Sequence, residues 1–598
     1  MKDYTKNLYY RLAVLICGFA SMAYLFLMNP PRDRRDNVYE TKEFNHKQFG
    51  NVHFKDVSAE LGIDFQQIKT TGPLRAHDGD LLVIAFSPSV SVIDINNDGY
   101  MDIFVTTARS RSNLLFINHK GTSFTEEAAQ YGLSDLNQKD DPSYAFWGDF
   151  NDDGLLDLVY ARYGCHGFFT GTKNNKLADH SEWFNGYCSN PNGLNAADFY
   201  KRGKLDLIFA NFLAAPGESD SSNDLWMTNT RYDNKSGGKN HLLKNEGSGF
   251  SVEKRAHFLT RSYSHNAGIA DINMDGLPDI FFSNDYAHDE MFLNNGEGRF
   301  SDLTDQYIPK VLHGLSGMNT EFFDYDSDGM IDLYVTNIFK PPFNRHFNLL
   351  WKKSEDNTYK NVSNDLGVAK CGFSWGAKFA DINNDGEADL FVMNGRSRSN
   401  NLVKYGEGKS MWYERNEVSQ IPRFIRKLYK PHDTIKGRYI SAFERKCLFI
   451  QKDGKFFDIA EDAGFDDREE NRTLALIDYD NDGLMDAISA GPISKLKVLH
   501  NTTKTESDFH WIGFSFKDKR GNSVHHGLKI KFLLSNGKKI VRELYPANGY
   551  KGFNDPRLHI GLGKAQISGP IEVFWPFSRV TQIIKNVQPD QYNLVTEK

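Results

Sequence analysis

A nine-residue frame recurs along this 598-residue chain and limits what it can fold into. The first copy is Asp94-Ile-Asn-Asn-Asp-Gly-Tyr-Met-Asp102, and intact copies begin again at Asp149, Asp271, Asp324, Asp381 and Asp478. Each has Asp at position 1, Asn or Asp at 3, Asp at 5, Gly at 6 and Asp at 9, and an apolar run such as Ile103-Phe-Val105 follows most of them. A worn copy occupies Asp198–Asp206, and successive starts lie 55, 49, 73, 53, 57 and 97 residues apart. Self-similarity at such a period predicts a repeat architecture in which each unit buries its apolar face against its neighbours.

The spacing has a chemical reason. Side-chain oxygens at positions 1, 3, 5 and 9 and a backbone carbonyl at 7 close on one hard cation of calcium's size, and glycine at 6 permits the sharp turn. The candidate ligands at position 1 are Asp94, Asp149, Asp271, Asp324, Asp381 and Asp478, and at position 3 Asn96, Asn151, Asn273, Asp326, Asn383 and Asp480. Position 5 holds Asp98, Asp153, Asp275, Asp328, Asp385 and Asp482; position 7 holds Tyr100, Leu155, Leu277, Met330, Glu387 and Leu484. Position 9 holds Asp102, Asp157, Asp279, Asp332, Asp389 and Asp486. An EF-hand needs glutamate at position 12, where this chain has Val105, Tyr160, Phe282, Val335, Val392 and Ser489. The competing reading is a set of plain hairpin turns. Carboxylates fixed at 1, 5 and 9 in six copies favour about six calcium sites. In the worn copy Tyr200, Arg202 and Lys204 stand among the ligand positions, so that loop is expected to be metal-free and neutralised by its own bases.

A second element fills the gaps, as in Asn113-Leu-Leu-Phe-Ile-Asn118 and Glu290-Met-Phe-Leu-Asn294, each followed by a Gly-containing turn and another short apolar run. With the strands around each Asp loop this makes four strands per unit, and seven units predict an all-β, seven-bladed β-propeller over 50–505. Asn51–Ile63 resembles the end of a later unit, Lys455–Phe465, so the N-terminal strand is expected to complete the last blade beside Lys497–Asn501. An open solenoid is the alternative. Residues 408–440 read as a partly helical insertion, and 163–195 and 214–238 as polar surface loops.

Residues 12–28 are uncharged and mostly apolar between Lys2, Lys6 and Arg11 on one side and Arg32, Arg34 and Arg35 on the other. They suit a transmembrane signal anchor behind a cytoplasmic tail at 1–11, or a cleaved signal peptide, with 29–49 as a linker. The formal charge of −7 becomes about +5 with six bound calcium ions, so it implies no basic partner, and no Lys/Arg tract points to nucleic acid. Cys165 and Cys188 flank one loop and are a candidate disulfide, with Cys371–Cys447 a second; four free thiols are the alternative.

From about 506 to 598 the Asp loops stop and a small C-terminal β domain follows. The repeats resemble FG-GAP/VCBS repeats of integrin-α-type propellers. Arg520-Gly-Asn-Ser523, Asn548-Gly-Tyr-Lys-Gly552, His559-Ile-Gly-Leu-Gly563 and Val573-Phe-Trp-Pro576 resemble an ASPIC/UnbV domain, although Leu528 and Phe577-Ser578 depart from its pattern. Together they resemble the architecture of the cartilage acidic protein family, which implies an extracellular calcium-binding adhesion or scaffold role. Scattered histidines with no HExxH and no GxSxG give no catalytic constellation. His265, Asn266, Asn319 and Trp375 precede their loops at similar places and are candidates for a ligand site at the mouth of a central channel. The reading is a non-enzymatic module for a protein or carbohydrate ligand, held outside the cytoplasm. A polysaccharide hydrolase or lyase using that mouth is the alternative.

Overall fold

The computed structural model describes Phe49 and residues 51–598 apart from 67–86, 139, 215–236, 259–261, 286, 309–314, 341–343, 396–443 and 493. The apolar stretch 12–28, the 408–440 insertion and most of 214–238 lie outside the described residues. Among the described residues no helix is long and apolar enough to cross a membrane.

Residues 47–598 form one compact unit. Its main body is built from seven antiparallel sheets with a shared plan. The innermost strands are Val90–Ile93, Pro142–Gly148, Cys188–Ala197, Tyr263–Ala270, Asn319–Phe323, Ser374–Ala380 and Thr473–Ile477. Each runs into an Asp loop, and position 9 of the loop is the first residue of the second strand in all seven: Asp102, Asp157, Asp206, Asp279, Asp332, Asp389 and Asp486. Third and outer strands complete each sheet. Each innermost strand packs against that of the next sheet, and the seventh returns to the first, a propeller-like ring. The ring is closed by pairing from opposite ends of the sequence, with Phe54 opposite Asn501 and Asp56 opposite Leu499.

One expectation fails here. Residues 163–195 are not a surface loop: Gly167–Gly171 and Leu177–Asp179 are the third and outer strands of the second sheet, and Cys188 begins the third innermost strand. The polar composition hid the segment's apolar anchors. Phe168, Phe169 and Phe184 are buried, and Trp183 packs 4.7 Å from Phe168. Both cysteine pairs are joined, Cys165–Cys188 and Cys371–Cys447.

A side chain at the end of the third strand staples successive sheets. Asn118 Nδ2 donates to Met101 O in its own sheet and, at 2.8 Å, to Tyr479 O in the preceding one. Asn245 reaches Phe150 O, Asn294 reaches Phe199 O and Asn501 reaches Ile382 O, at 2.8, 3.1 and 2.8 Å. Lys353 Nζ takes the same role on Ile272 O, and the carboxamide of Gln451 faces Tyr325 O and Ala388 O. The acceptor is always the carbonyl at position 2 of the preceding loop.

The C-terminal segment has its own core between two sheets, including Ile512, Phe514, Ile530, Val573 and Trp575. Residues 548–555 leave those sheets and enter the axis of the ring. Gly552–Phe553 pairs in parallel with Val90–Ile93. Asn548 Oδ1 accepts from Asn195 Nδ2 and Ile269 N at 2.9 Å, and Lys378 Nζ donates to Asn548 O. Tyr144 Oη donates to Gly552 O at 2.8 Å, Tyr550 N donates to Asn319 Oδ1 at 2.6 Å, and Asp555 N donates to Leu476 O at 3.0 Å. All seven innermost strands therefore bond to this one segment.

Asn245 is fully buried and its amide satisfies carbonyls in two sheets. Asn245→Ala strands both acceptors, which costs about 1–3 kcal/mol. We expect denaturant unfolding to show a lowered midpoint with an unchanged slope. A midpoint equal to that of the parent would mean the staple adds nothing.

Candidate metal centres and the closed axis

The loop backbone follows from its carboxylates. Positions 4 and 6 are left-handed in every copy, for example Asn97 at φ 58° and Gly99 at φ 88°. The position-1 carboxylate accepts the amides of 5 and 6: Asp94 takes Asp98 N at 3.0 Å and Gly99 N at 2.9 Å. The position-7 amide donates to the carboxylate at 5, as from Tyr100 to Asp98 at 2.9 Å and from Leu155 to Asp153 at 2.8 Å. Position 9 spans the sheet: Asp102 Oδ2 accepts Ile95 N at 3.0 Å and its Oδ1 accepts Asn118 N from the third strand at 2.8 Å. The second bond recurs on Asp157, Asp279, Asp332, Asp389 and Asp486.

Three or four carboxylates per loop at positions 1, 3, 5 and 9, taken out of water, carry more negative charge than the amides offset. Burial pushes Asp102, Asp157 and Asp486 up to about 8, and Asp324 and Asp478 up to about 7, while Asp279, Asp332, Asp381 and Asp389 are raised well above the usual range. Asp271 Oδ1, Asp326 Oδ1 and Asp332 Oδ2 are buried without a hydrogen-bond partner. In Asp324, Asp326 and Asp332, and again in Asp478, Asp480 and Asp486, one oxygen of each lies within 4.8 Å of the others. An all-oxygen donor set of this charge fits a hard divalent cation.

The worn loop keeps the shape with a base against its position-9 carboxylate. Asp198 accepts Arg202 N at 2.8 Å and Gly203 N at 2.7 Å, and the Arg202 guanidinium lies 2.7 Å from Asp206 Oδ1. Lys204 turns instead to Asp152 of the neighbouring loop, at 2.8 Å.

The C-terminal sheets lie on this loop-bearing face and bring bases to it. Lys529 Nζ is 2.7 Å from Asp271 Oδ2, Arg542 is 3.7 Å from Asp324 Oδ2 and Arg520 is 3.9 Å from Asp149 Oδ2. Lys538 meets Glu387 at 2.7 Å, Arg557 donates to Asp478 O at 2.8 Å and Tyr592 Oη donates to Asp478 Oδ2 at 2.9 Å. The loop glycines admit this approach: a Cβ on Gly154 would lie 2.1 Å from Arg520 O, and one on Gly483 would lie 2.0 Å from Trp511.

The four residues read as lining a channel mouth surround the chain's own axial segment. Asn266 Nδ2 donates to Gly549 O at 2.6 Å, Asn319 accepts from Tyr550 N, and the rings of Trp375 and His265 lie 5.0 and 6.0 Å from that of Tyr550. All four are buried. Lys551 follows at the same depth, donating to Ser143 O at 3.1 Å, and burial pulls it down to about 7. The sequence carries Arg-Ser-Arg-Ser-Asn twice, at 109–113 and 396–400; the first closes a turn in which Thr107 N donates to Asn113 Oδ1 at 3.0 Å, and the second lies outside the described residues. Sequence reasoning passed over Lys529, Arg542 and Lys352, and it quoted Arg520 and the staple asparagines without the contacts they make. For the staples a signal existed, since Asn closes the third strand at 118, 245, 294 and 501.

Comparison with known proteins agrees with this division. Residues 518–598 match the family model described as ASPIC and UnbV, and 94–160 and 271–335 match an FG-GAP-like repeat. The chain is similar to cartilage acidic protein 1 of Xenopus tropicalis, 27% identical over 196 residues, covering 31% of this chain and 29% of that protein. The human protein is 24% identical over 213 residues, with 34% of this chain and 31% of the relative covered. The match thus spans about a third of the length of these curated relatives. Among solved structures, an Agrocybe aegerita lectin in a study of non-reducing terminal N-acetylglucosamine recognition is 12% identical with a TM-score of 0.36, covering 64% of this chain and 84% of that one. The Vibrio cholerae biofilm matrix protein Bap1 is 13% identical with a TM-score of 0.27, covering 88% and 71%.

Two outcomes follow. Tyr550 is fully buried against Trp375, so Tyr550→Ala removes a large axial side chain and lowers stability by about 3–5 kcal/mol. Thermal unfolding should show one transition at a lower midpoint; an unchanged midpoint would mean the axial segment is a passenger. The second concerns pH. The loop carboxyls titrate higher in the fold than in the unfolded chain, so the metal-free fold binds protons that the unfolded chain releases near pH 4. Chelated protein should therefore lose stability as pH rises from about 4 to 8, most steeply where these groups ionise. A bound cation should flatten the dependence. Equal midpoints at both ends in chelator would contradict the charge balance drawn here.

Proposed function

We propose that this chain, a member of the FG-GAP-repeat proteins of the cartilage acidic protein family that end in an ASPIC/UnbV domain, is a non-enzymatic, calcium-stabilised seven-bladed propeller that presents a ligand-binding surface outside the cytoplasm. The observation that carries the reading is the set of buried loop carboxylates whose charge exceeds what the protein's own bases and amides offset. Calcium would be held by oxygens at positions 1, 3, 5 and 9 and the carbonyl at 7. When bound it supplies two positive charges to a loop whose backbone is already set by its amides.

Two disulfides suit an oxidising compartment, where calcium is also plentiful. The apolar stretch at 12–28 would deliver the chain there, as an anchor or as a cleaved signal. The partner is a protein or carbohydrate in an adhesive or scaffolding role. It meets the rim or the outer surfaces of the ring, because the axis is filled by residues 548–551. The same filling removes the footing of a hydrolase or lyase at the channel mouth, since His265 and Trp375 are spent on Tyr550.

The test is ion content and melting of the protein with calcium and after chelation. Binding to the native state alone raises stability by mass action, so several calcium ions per chain and a chelator-induced drop of roughly 3–4 kcal/mol or more are expected at ligand a hundred- to a thousandfold above its dissociation constant. A chain that carries no calcium and melts identically in chelator would reduce the loops to turns.

A further inference from the structure

The six intact loops are not equivalent. In five of them the position-9 Oδ2 is held by the position-2 amide: Ile95 on Asp102, Phe150 on Asp157, Ile272 on Asp279, Ile382 on Asp389 and Tyr479 on Asp486, at 3.0, 2.8, 2.8, 3.1 and 3.3 Å. In four the position-3 asparagine also donates to the position-5 Oδ2: Asn96, Asn151, Asn273 and Asn383, at 3.1, 2.9, 2.9 and 3.0 Å. Those loops spend the oxygens of positions 5 and 9 on themselves, although in 271–279 the position-1 Oδ1 of Asp271 is left without a partner and its Oδ2 meets Lys529.

Loop 324–332 breaks both habits. Position 3 is Asp326, which cannot donate, and Asp332 Oδ2 takes no amide although Asp332 is fully buried. Asp326 Oδ1 is likewise without a partner, and oxygens of Asp324, Asp326 and Asp332 converge within 4.8 Å. The other backbone amides of the loop stay in place, on Asp324, Asp328 and Asp332 Oδ1; like charges gathered this closely, with the position-2 amide given up, are organised for a cation. Part of the compensation comes from Lys352 on the third strand, whose Nζ pairs with Asp326 Oδ2 and lies 3.1 Å from Asp328 Oδ2. It carries one charge and grips the oxygens of positions 3 and 5. Loop 478–486 is intermediate: Asp480 supplies the fourth carboxylate and His500 a base 3.1 Å from Asp486, but Asp486 keeps its amide and Asp478 Oδ2 accepts from Tyr592.

We infer that 324–332 is the first of the loops to take a divalent cation of calcium's size, and that Lys352 is a tethered competitor that sets how tightly the ion is held. The inference rests on the calcium reading above and ranks its sites. Ligand charge favours this loop over the four with asparagine. The ammonium beside two of its ligand oxygens opposes the ion through simple repulsion.

The experiment uses the whole chain, stripped with chelator and titrated with calcium by calorimetry, with ion content counted at each step. The parent should show one step about tenfold or more tighter than the rest. Asp326→Asn, which restores the asparagine of the sister loops, should bring that step down to the others without changing the total. Lys352→Met should tighten it by about tenfold. A tightest step unmoved by Asp326→Asn, or weakened by Lys352→Met, would overturn the ranking while leaving calcium binding intact. No calcium in the parent at millimolar concentration would overturn the ranking and the underlying reading together, and so is a distinguishable failure.

Discussion

The aspartate that opens each second strand is the interaction on which the rest depends. Its Oδ1 accepts an amide at the end of the third strand in all seven sheets, at 2.7–2.9 Å, so one buried carboxylate ties the loop to a strand that follows it by up to about sixty residues. The residue bearing that amide is, in six sheets, the one whose side chain crosses to the preceding loop. Register within a sheet and spacing between sheets are thus set at one point. A carboxylate is suited to this because it accepts from several directions at once and bonds roughly twice as strongly as a neutral acceptor. The cost is charge. Repeating the device around a ring buries a carboxylate in every sheet and makes countercharge a condition of the architecture.

The worn loop meets that condition with a base of its own. Asp198–Asp206 has the same amide pattern as its sisters, with Arg202 on Asp206 where they carry Asp at position 5. Loop shape therefore comes from the backbone and its carboxylates, and in this copy a protein base supplies the countercharge. The C-terminal sheets extend the same principle across a domain boundary, laying Arg520, Lys529 and Arg542 against position-1 carboxylates of three loops. Burying such pairs is seldom a large net gain over apolar packing, but losing one partner is costly, which favours specificity over raw stability.

Much of this was legible in the chain. Carboxylate spacing fixed the loops, apolar runs after position 9 fixed the second strands, and the likeness of 51–63 to 455–465 gave the closing pair Phe54–Asn501. The remainder was hidden for physical reasons. Short strands such as Leu177–Asp179 are too brief for period-two alternation to register against a polar background. Asn548-Gly-Tyr-Lys551 bonds to residues more than two hundred positions away, as with Asn319 and Ile269, and no local pattern announces such contacts. His265, Asn266, Asn319 and Trp375 are candidates for a ligand site at a channel mouth when read from the sequence, but no local pattern says that the group they surround is covalently part of the same chain.

That occupant changes what the ring can do. Open propellers offer their axis to ligands because the innermost strands converge there with unspent polar groups. Here each innermost strand spends such a group on residues 548–555, from Tyr144 on Gly552 to Leu476 on Asp555. The C-terminal domain thus completes the ring's hydrogen bonding along the axis and its charge balance at the loop face, two needs that arise from the same inward-facing repeat. A domain that answers both is a structural component of the ring.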